Sequence, residues 1–239
     1  PFFDLFKLFG KDPIALHRPQ IMYAILHLVF MILVVVMLTQ GEDLLMILLV
    51  HAFSSICLIL GAMSVRSPYS WIGSQRKILQ ILAYEPVLLV LLLAINLRDN
   101  SFLASKVMAN PQPLLISMPL LFLAFICVVA IEMSKSPFDV ASSHHAHQEI
   151  VKGLTLEYSG PFLGILEIAH FYEIAIFFGL IMCFWHTNIW IALLLESAVF
   201  VFLLVVDNAF SRLSAGWMVR YMWTVPLTLA LANLIWLWS

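Results

Sequence analysis

Long apolar runs alternate with short polar segments along the chain, and this pattern predicts membrane-spanning helices. A helix needs about 20 apolar residues to cross the hydrocarbon core of a bilayer. The runs are too long and unbroken for barrel strands, and helices satisfy their own backbone polar groups in lipid. The sequence therefore predicts an all-α, polytopic membrane helix bundle that forms one integral membrane domain over residues 1–239. Seven runs qualify as spans: 19–39, 44–64, 77–97, 113–133, 160–184, 189–206 and 217–238.

The segment before the first run, PFFDLFKLFGKD, places phenylalanine and leucine around Asp4, Lys7 and Lys11. This pattern is typical of a short amphipathic helix that lies in the membrane interface. We therefore expect residues 1–18 to form an interfacial helix followed by a loop. The alternative is that this segment is the frayed end of a further span.

The composition supports a lipid environment. The chain is 63% hydrophobic and 11% charged, with a mean hydropathy of +1.01, whereas a soluble domain carries about 25% charged residues. Cys57, Cys127 and Cys183 each lie alone inside an apolar run. This spacing does not match a cysteine-ligated iron–sulfur cluster or zinc site. We expect no metal site in this chain and no nucleic-acid partner.

Lysine and arginine are distributed unequally between the two sides of the predicted bundle. If successive loops alternate sides, Arg98 and Lys106 lie on one side and all the other basic residues lie on the opposite side. The positive-inside rule makes the basic side cytoplasmic. The cytoplasmic segments are then the opening stretch, 65–76, the large loop 134–159, and 207–216. The ten basic residues on this side are Lys7, Lys11, Arg18, Arg66, Arg76, Lys77, Lys135, Lys152, Arg212 and Arg220.

Several ionisable side chains fall inside the predicted spans, where they cost several kcal/mol unless they are paired or hydrated. Two interpretations remain open: structural acids that are hydrogen-bonded to neighbouring helices, or a proton or ion path. No basic residue is predicted deep in a span to pair with these acids, so hydrated or protonated carboxyl groups are favoured. Their number and staggered depths favour the path. They are Glu85, which precedes Pro86, the stripe Glu167, His170 and Glu173, and Glu196, with Glu132 and Asp207 at span ends.

The stretch EMSKSPFDVASSHHAHQEIVKGLTLEYSG, residues 132–160, concentrates ionisable residues between two spans. Pro137 disfavours continuation of the preceding helix, and Asp139 can cap a short helix that follows. His144, His145 and His147 precede Glu149, but their spacing matches no complete zinc site. The other interpretations are histidines that titrate near neutral pH and a polar surface for docking a partner protein.

The motifs EMSKSPFD, QEIVKG and LEYSGPF, in this order, resemble the membrane subunit called subunit 1 of respiratory complex I. They also resemble the matching subunit of membrane-bound [NiFe] hydrogenases and formate hydrogenlyases. PFFDLFKLFGKD, SPYSWIGSQRKILQILAYEP and DNAFSRLSAGWMVRYMW extend the resemblance over nearly the whole chain. The family has eight spans, so we expect one N-terminal helix to be absent from this sequence.

The long insertion SSHHAH between Asp139 and Glu149 most resembles the energy-converting (Ech-type) and membrane-bound hydrogenase branch. This branch implies a non-catalytic coupling subunit of a ferredoxin-dependent [NiFe] hydrogenase, multi-pass in a prokaryotic cell membrane. The expected partners are homologues of the iron–sulfur small subunit and of the NiFe large subunit on the cytoplasmic side, antiporter-like membrane subunits, and lipid. The [4Fe-4S] clusters and the NiFe centre would belong to these partners. Alternatives are the quinone-site subunit of complex I, a sulfur-reducing relative, and a stand-alone ion transporter.

The resemblance also implies roles for individual residues. Glu85, Glu132, Glu149 and Glu157 match acids of the family by position. The full predicted ion path is Glu85, Glu132, Glu149, Glu157, Glu167, His170, Glu173, Glu196 and Asp207. The predicted docking surface is Asp139, His144, His145, His147 and Arg76.

Overall fold

The computed structural model describes residues 2–12, 17–138 and 153–238, and nearly all of these residues are helical. The predicted all-α membrane bundle is confirmed. The six long apolar helices are α2, α3, α4, α8, α9 and α10, and α7 is a shorter apolar helix. The helices are α1 (Phe2–Phe9), α2 (Arg18–Gln40), α3 (Leu44–Met63), α4 (Pro68–Asp99), α5 (Ala104–Ala109), α6 (Leu114–Ser117), α7 (Pro119–Glu132), α8 (Pro161–Phe184), α9 (Ile189–Ala209) and α10 (Ala215–Trp238).

Helix α4 begins earlier than the apolar pattern predicts. The prediction of a loop over 65–76 is wrong for most of that range, because α4 runs from Pro68 to Asp99. Proline is well suited to the first turn of a helix, where its missing N–H group has no partner to lose. Arg76 and Lys77 therefore lie within a 32-residue helix and not at its start.

Helix α4 continues without interruption through Pro86. The ring of Pro86 removes the backbone donor that normally bonds to the carbonyl four residues earlier, which here belongs to Leu82. The indole Nε1–H group of Trp223 on α10 donates to this carbonyl at 3.2 Å. The carbonyl that Pro86 leaves without its helical donor is thus used to join α4 to α10.

The predicted span 113–133 is divided into two helices. α6 ends at Ser117 and α7 begins at Pro119, with Met118 outside helical geometry; a residue before proline disfavours the α conformation. Asn233 of α10 is fully buried against this break. Its Oδ1 accepts from the Leu121 N–H group at 3.1 Å, and its Nδ2 donates to the Ser117 carbonyl at 3.2 Å.

The Asn233→Leu variant is expected to destabilise the protein by about 2–6 kcal/mol, because two buried backbone groups lose their partner at about 1–3 kcal/mol each. The measurement is the thermal denaturation midpoint of the detergent-purified membrane complex. Asn208→Leu is the control, since the exposed Asn208 amide bonds to the Leu204 carbonyl of its own helix. Equal midpoints for the two variants would contradict the bridging role of Asn233.

The described part of the large loop is fastened to the bundle at both ends. At its start, Ser136 N–H donates to Asp207 Oδ1 at 2.9 Å, and the Phe138 carbonyl accepts from Gln80 at 3.2 Å. At its end, the backbone of Gly153 approaches Gly73 so closely that a Cβ atom at Gly73 would lie 2.7 Å from the Gly153 carbonyl carbon. Glycine is therefore required at this approach. The predicted loop residues Asp139, His144, His145, His147 and Glu149 lie outside the described residues.

The last turn of this loop is held by Tyr158. Its hydroxyl lies against Gly61 of α3 and 3.5 Å from the carbonyl of Gln20. The side chain of Gln20 donates in return to the Glu157 carbonyl at 3.1 Å. Burial raises the pKa of the Tyr158 phenol above its usual value, so this side chain stays neutral and structural.

The amphipathic helix predicted at the start of the chain is α1, and it packs against α8. Phe3 and Phe6 are 84% and 77% exposed, while the ring of Phe9 lies over Gly164 of α8. An exposed apolar face on a helix that packs beside a membrane bundle is typical of a helix that lies in the membrane interface.

Candidate functional site

Five ionisable side chains from four helices meet inside the bundle, and we call them the acid–base cluster. They are His51 of α3, Lys77 of α4, Glu132 of α7, and His170 and Glu173 of α8. Lys77 Nζ donates to Glu132 Oε2 at 3.0 Å, and His170 Nδ1 lies 3.0 Å from Glu173 Oε2. His51 Nε2 lies 4.0 Å from Glu173 Oε1. The cluster thus links helices that are far apart in sequence.

Water has little access to most of this cluster. Glu132 is 1% exposed, His51 3% and Lys77 6%, while Glu173 is 9% exposed. His170 is the open member, with 38% of its side chain accessible. The expectation that no basic residue lies deep in a span to pair with the acids is wrong, because Lys77 meets Glu132. Burial of two charges is tolerated only where each has a close partner of opposite sign.

Two buried atoms of the cluster have no hydrogen-bond partner among the described residues. Glu132 Oε2 accepts the hydrogen bond from Lys77, whereas Glu132 Oε1 is buried without a hydrogen-bond partner among the described residues. His51 Nε2 is likewise buried without a hydrogen-bond partner in the described part of the chain. One atom each from His51, Glu132 and Glu173 lie within 4.8 Å of one another. Buried polar atoms are normally satisfied, so this space suits a proton-carrying water or a cation.

Further polar side chains lie beside the cluster. Tyr84 is buried on α4 and faces Glu132. Its neighbour Glu85 is half-buried and lines a cavity of about 60 Å³ between α3 and α4, together with Tyr84 and His51. Ser54, three residues after His51 and on about the same face of α3, has its Oγ 2.7 Å from Nδ1 of His27 on α2. Glu85 therefore lies next to the cluster.

The remaining acids of the predicted path lie outside the cluster. Glu167 lines an open cavity of about 440 Å³ beside Asp4, Lys7 and Lys11 of the α1 segment. Glu196 is half-buried on α9, and Glu157 is half-buried in the loop before α8. The structure brings Glu132, His170 and Glu173 together and sets Glu85 beside them, and it places Glu157, Glu167 and Glu196 elsewhere.

Asp207 and Arg76 do not belong to the acid–base cluster. Asp207 lies at the end of α9, where its carboxylate is 3.4 Å from Lys135 Nζ and accepts from the Ser136 backbone. This geometry fastens the large loop to α9. Arg76 is half-buried on α4, immediately before Lys77.

Sequence reasoning missed two members of the cluster. The apolar run predicts a helix start at Lys77, although Ser67-Pro68 is a signal for an earlier start. His51 stands as a lone ionisable residue within an apolar run, and the rule that singles out in-span acids applies equally to histidine. Both signals were present in the sequence.

Comparisons with known proteins agree with this architecture. The profile of the family described as NADH dehydrogenase matches residues 1–238. The H-type subunit of NADH-quinone oxidoreductase from Bacillus cytotoxicus is 26% identical over 262 aligned positions, which cover 97% of this chain and 77% of the relative. The subunit of the same name from Bacillus cereus strain B4264 is 27% identical with the same coverage.

A solved structure shares the fold. A chain of the membrane-bound sulfane sulfur reductase, an archaeal respiratory membrane complex, superimposes with a TM-score of 0.86 at 22% sequence identity. The superposition covers 99% of this chain and 86% of that chain. The two chains therefore have the same helix arrangement over almost the whole length described here.

Proposed function

Since this chain belongs to the NADH dehydrogenase family and is an H-type, multi-pass membrane subunit of a complex I-type oxidoreductase, we propose that it couples electron transfer in a docked soluble arm to ion movement across the membrane. The observation that carries this proposal is the buried acid–base cluster. Ionisable groups at such depth mark ion paths and proton relays in membrane proteins.

The position of Glu132 explains how a docked partner can act on the cluster. Glu132 is the last residue of α7 and pairs with Lys77, while Ser136, four residues later, is already bonded to Asp207. A partner that shifts the large loop would therefore pull directly on the backbone that carries Glu132. The proton affinity of the Lys77–Glu132 pair, and of the Glu132 oxygen that has no hydrogen-bond partner among the described residues, would then change.

Within this class we propose a ferredoxin-dependent energy-converting [NiFe] hydrogenase in a prokaryotic cell membrane. The insertion SSHHAH in the large loop supports this branch through its resemblance. The partners would be homologues of the iron–sulfur small subunit and of the NiFe large subunit, which would carry the [4Fe-4S] clusters and the NiFe centre, together with antiporter-like membrane subunits. The translocated ion would be a proton or sodium.

Two other branches have observations in their favour. The curated relatives carry the name NADH-quinone oxidoreductase, which favours a quinone-site subunit. The structural likeness to the sulfane sulfur reductase favours a sulfur-reducing relative. Mass spectrometry of the intact purified assembly separates the three. A companion protein with two CxxC nickel-binding motifs, together with hydrogen evolution, is the result expected for the hydrogenase, and a companion without these motifs would contradict it.

The Glu85→Gln variant is expected to reduce ion translocation at least about tenfold while electron transfer with an artificial donor persists, because a glutamine cannot take up and release a proton. The measurement is dye quenching or sodium uptake in sealed membrane vesicles, compared with redox turnover in the same vesicles. Glu42→Gln, at the exposed turn between α2 and α3, is the control. Wild-type translocation in Glu85→Gln would remove Glu85 from the path.

A further inference from the structure

We propose that His51, Glu132 and Glu173 form a binding site for one divalent first-row transition-metal ion, with Zn²⁺ as the best match. One ligand atom from each side chain lies within 4.8 Å of the other two. An imidazole nitrogen and two carboxylate oxygens are a donor set that Zn²⁺ accepts, with a fourth position left for water. The sequence did not indicate this site, because its ligands come from three helices.

The atoms of the cluster that lack a hydrogen-bond partner within the described ranges are the evidence for a bound ligand. Glu132 Oε1 and His51 Nε2 are both buried without a hydrogen-bond partner in the residues that the structure describes, and His51 Nε2 faces Glu173 Oε1. Two carboxylates and one lysine carry −2 + 1 = −1 charge when the histidines are neutral. A cation at this point would bind the spare atoms and would be attracted by the net negative charge of the cluster.

The outer contacts of the two carboxylates match those of a metal centre. Ligating carboxylates and histidines are normally oriented by a second hydrogen bond. Here Lys77 holds Glu132 Oε2, and His170 holds Glu173 Oε2. The ring of His51 packs edge-on against Phe177, with centroids 5.5 Å apart. Each ligand is therefore held through atoms other than the one that would bind the ion.

The fit requires a small contraction. Bonds of about 2.1 Å in a tetrahedral zinc site place ligand atoms about 3.4 Å apart, so atoms at the present 4.8 Å limit must approach one another by about 1.4 Å. This movement would have to come from the side-chain torsions of the two carboxylates, whose Oε2 atoms contact Lys77 and His170. The half-open His170 side chain and the cavity beside His51 give an ion two directions of approach.

Zinc binding has a consequence that rests on the proposed function. An ion held by Glu132 and Glu173 would occupy carboxylate oxygens that belong to the proposed path, so zinc would inhibit translocation. The binding and the inhibition are measured separately. A failure of inhibition alone would therefore count against the proposed path and leave the metal site in place.

The test uses the whole membrane complex purified through a tag on this chain. The histidines His144, His145 and His147 are first replaced by alanine, so that the loop tract does not bind zinc. Zinc retained after dialysis is counted by elemental analysis across a range of Zn²⁺ concentrations, and X-ray absorption at the zinc edge reports the ligands. His51→Gln removes one ligand, and His186→Gln is the control, because His186 bonds to the Asn110 carbonyl away from the cluster.

The expected result is a zinc ion bound per complex in the His186→Gln control and at least about a tenfold loss of affinity in His51→Gln. The absorption spectrum should show one imidazole ligand together with oxygen ligands. Because this spectrum is recorded on the parent complex, it tests the site even if the His51→Gln complex fails to assemble. Unchanged zinc affinity in His51→Gln, or a spectrum with no imidazole or with sulfur ligands, would overturn the site. Retention of no zinc by the parent complex would overturn it as well, since the space would then hold only water or a proton.

Discussion

The Lys77→Met variant is expected to destabilise the assembled complex by about 3–5 kcal/mol, which is the cost of removing one member of a buried ion pair. Lys77 Nζ lies 3.0 Å from Glu132 Oε2, and the Glu132 side chain is 0% exposed. The other oxygen of Glu132 already has no hydrogen-bond partner among the described residues. Without Lys77 the carboxylate must either remain an uncompensated buried charge or take up a proton permanently.

Thermal denaturation of the detergent-purified complex measures this effect, and Lys135→Met is its matched control. Lys135 also pairs with a carboxylate, that of Asp207 at 3.4 Å, but the two side chains are 34% and 30% exposed. An exposed pair of this kind contributes about 0–1 kcal/mol. A destabilisation by Lys77→Met no larger than that by Lys135→Met would show that the buried pair is not held as the structure indicates.

The double variant Lys77→Met/Glu132→Leu separates stability from function. Replacement of both members of a buried pair by apolar residues is often neutral for stability or better. We therefore expect the double variant to recover most of the stability lost in Lys77→Met and to lose ion translocation. Recovery of translocation together with stability would assign the pair a purely structural role.

The fold could be predicted from hydropathy alone to within a few residues at most helix ends. The apolar runs 44–64, 160–184 and 189–206 correspond to α3, α8 and α9. Such runs are reliable because lipid requires every spanning segment to be apolar and helical. The errors fall at Pro68 and Pro119, where proline begins a helix and the hydropathy does not change.

The acid–base cluster could be predicted only in part. Glu132 and Glu173 stand out because an acid in an apolar run is costly. Their convergence with His51 could not be read from spacing, because the three residues lie on α3, α7 and α8 and the packing of those helices sets the distances. Glu196, chosen on the same argument, lies apart on α9. Depth within a span identifies candidate residues, and only the helix packing identifies which of them meet.

The Glu173→Gln variant is expected to lower ion translocation at least about tenfold and to leave redox turnover with an artificial donor near the wild-type rate. Glu173 joins the two histidines of the cluster, with Oε2 3.0 Å from His170 and Oε1 4.0 Å from His51. Glutamine keeps an oxygen that accepts the His170 hydrogen bond, but it cannot exchange the proton that general acid–base chemistry requires. The measurements are vesicle translocation and redox turnover in the same preparation.

Two further variants make this expectation specific to the cluster. Glu173→Asp keeps a carboxyl group on a shorter side chain, so partial translocation should return. Glu196→Gln tests the broader path inferred from sequence, in which every in-span acid takes part. Loss of translocation in Glu196→Gln together with normal translocation in Glu173→Gln would move the path from the centre of the bundle to α9. The reverse result would place the coupled proton between His51, Glu173 and His170, because these are the groups within reach of one another on the described helices.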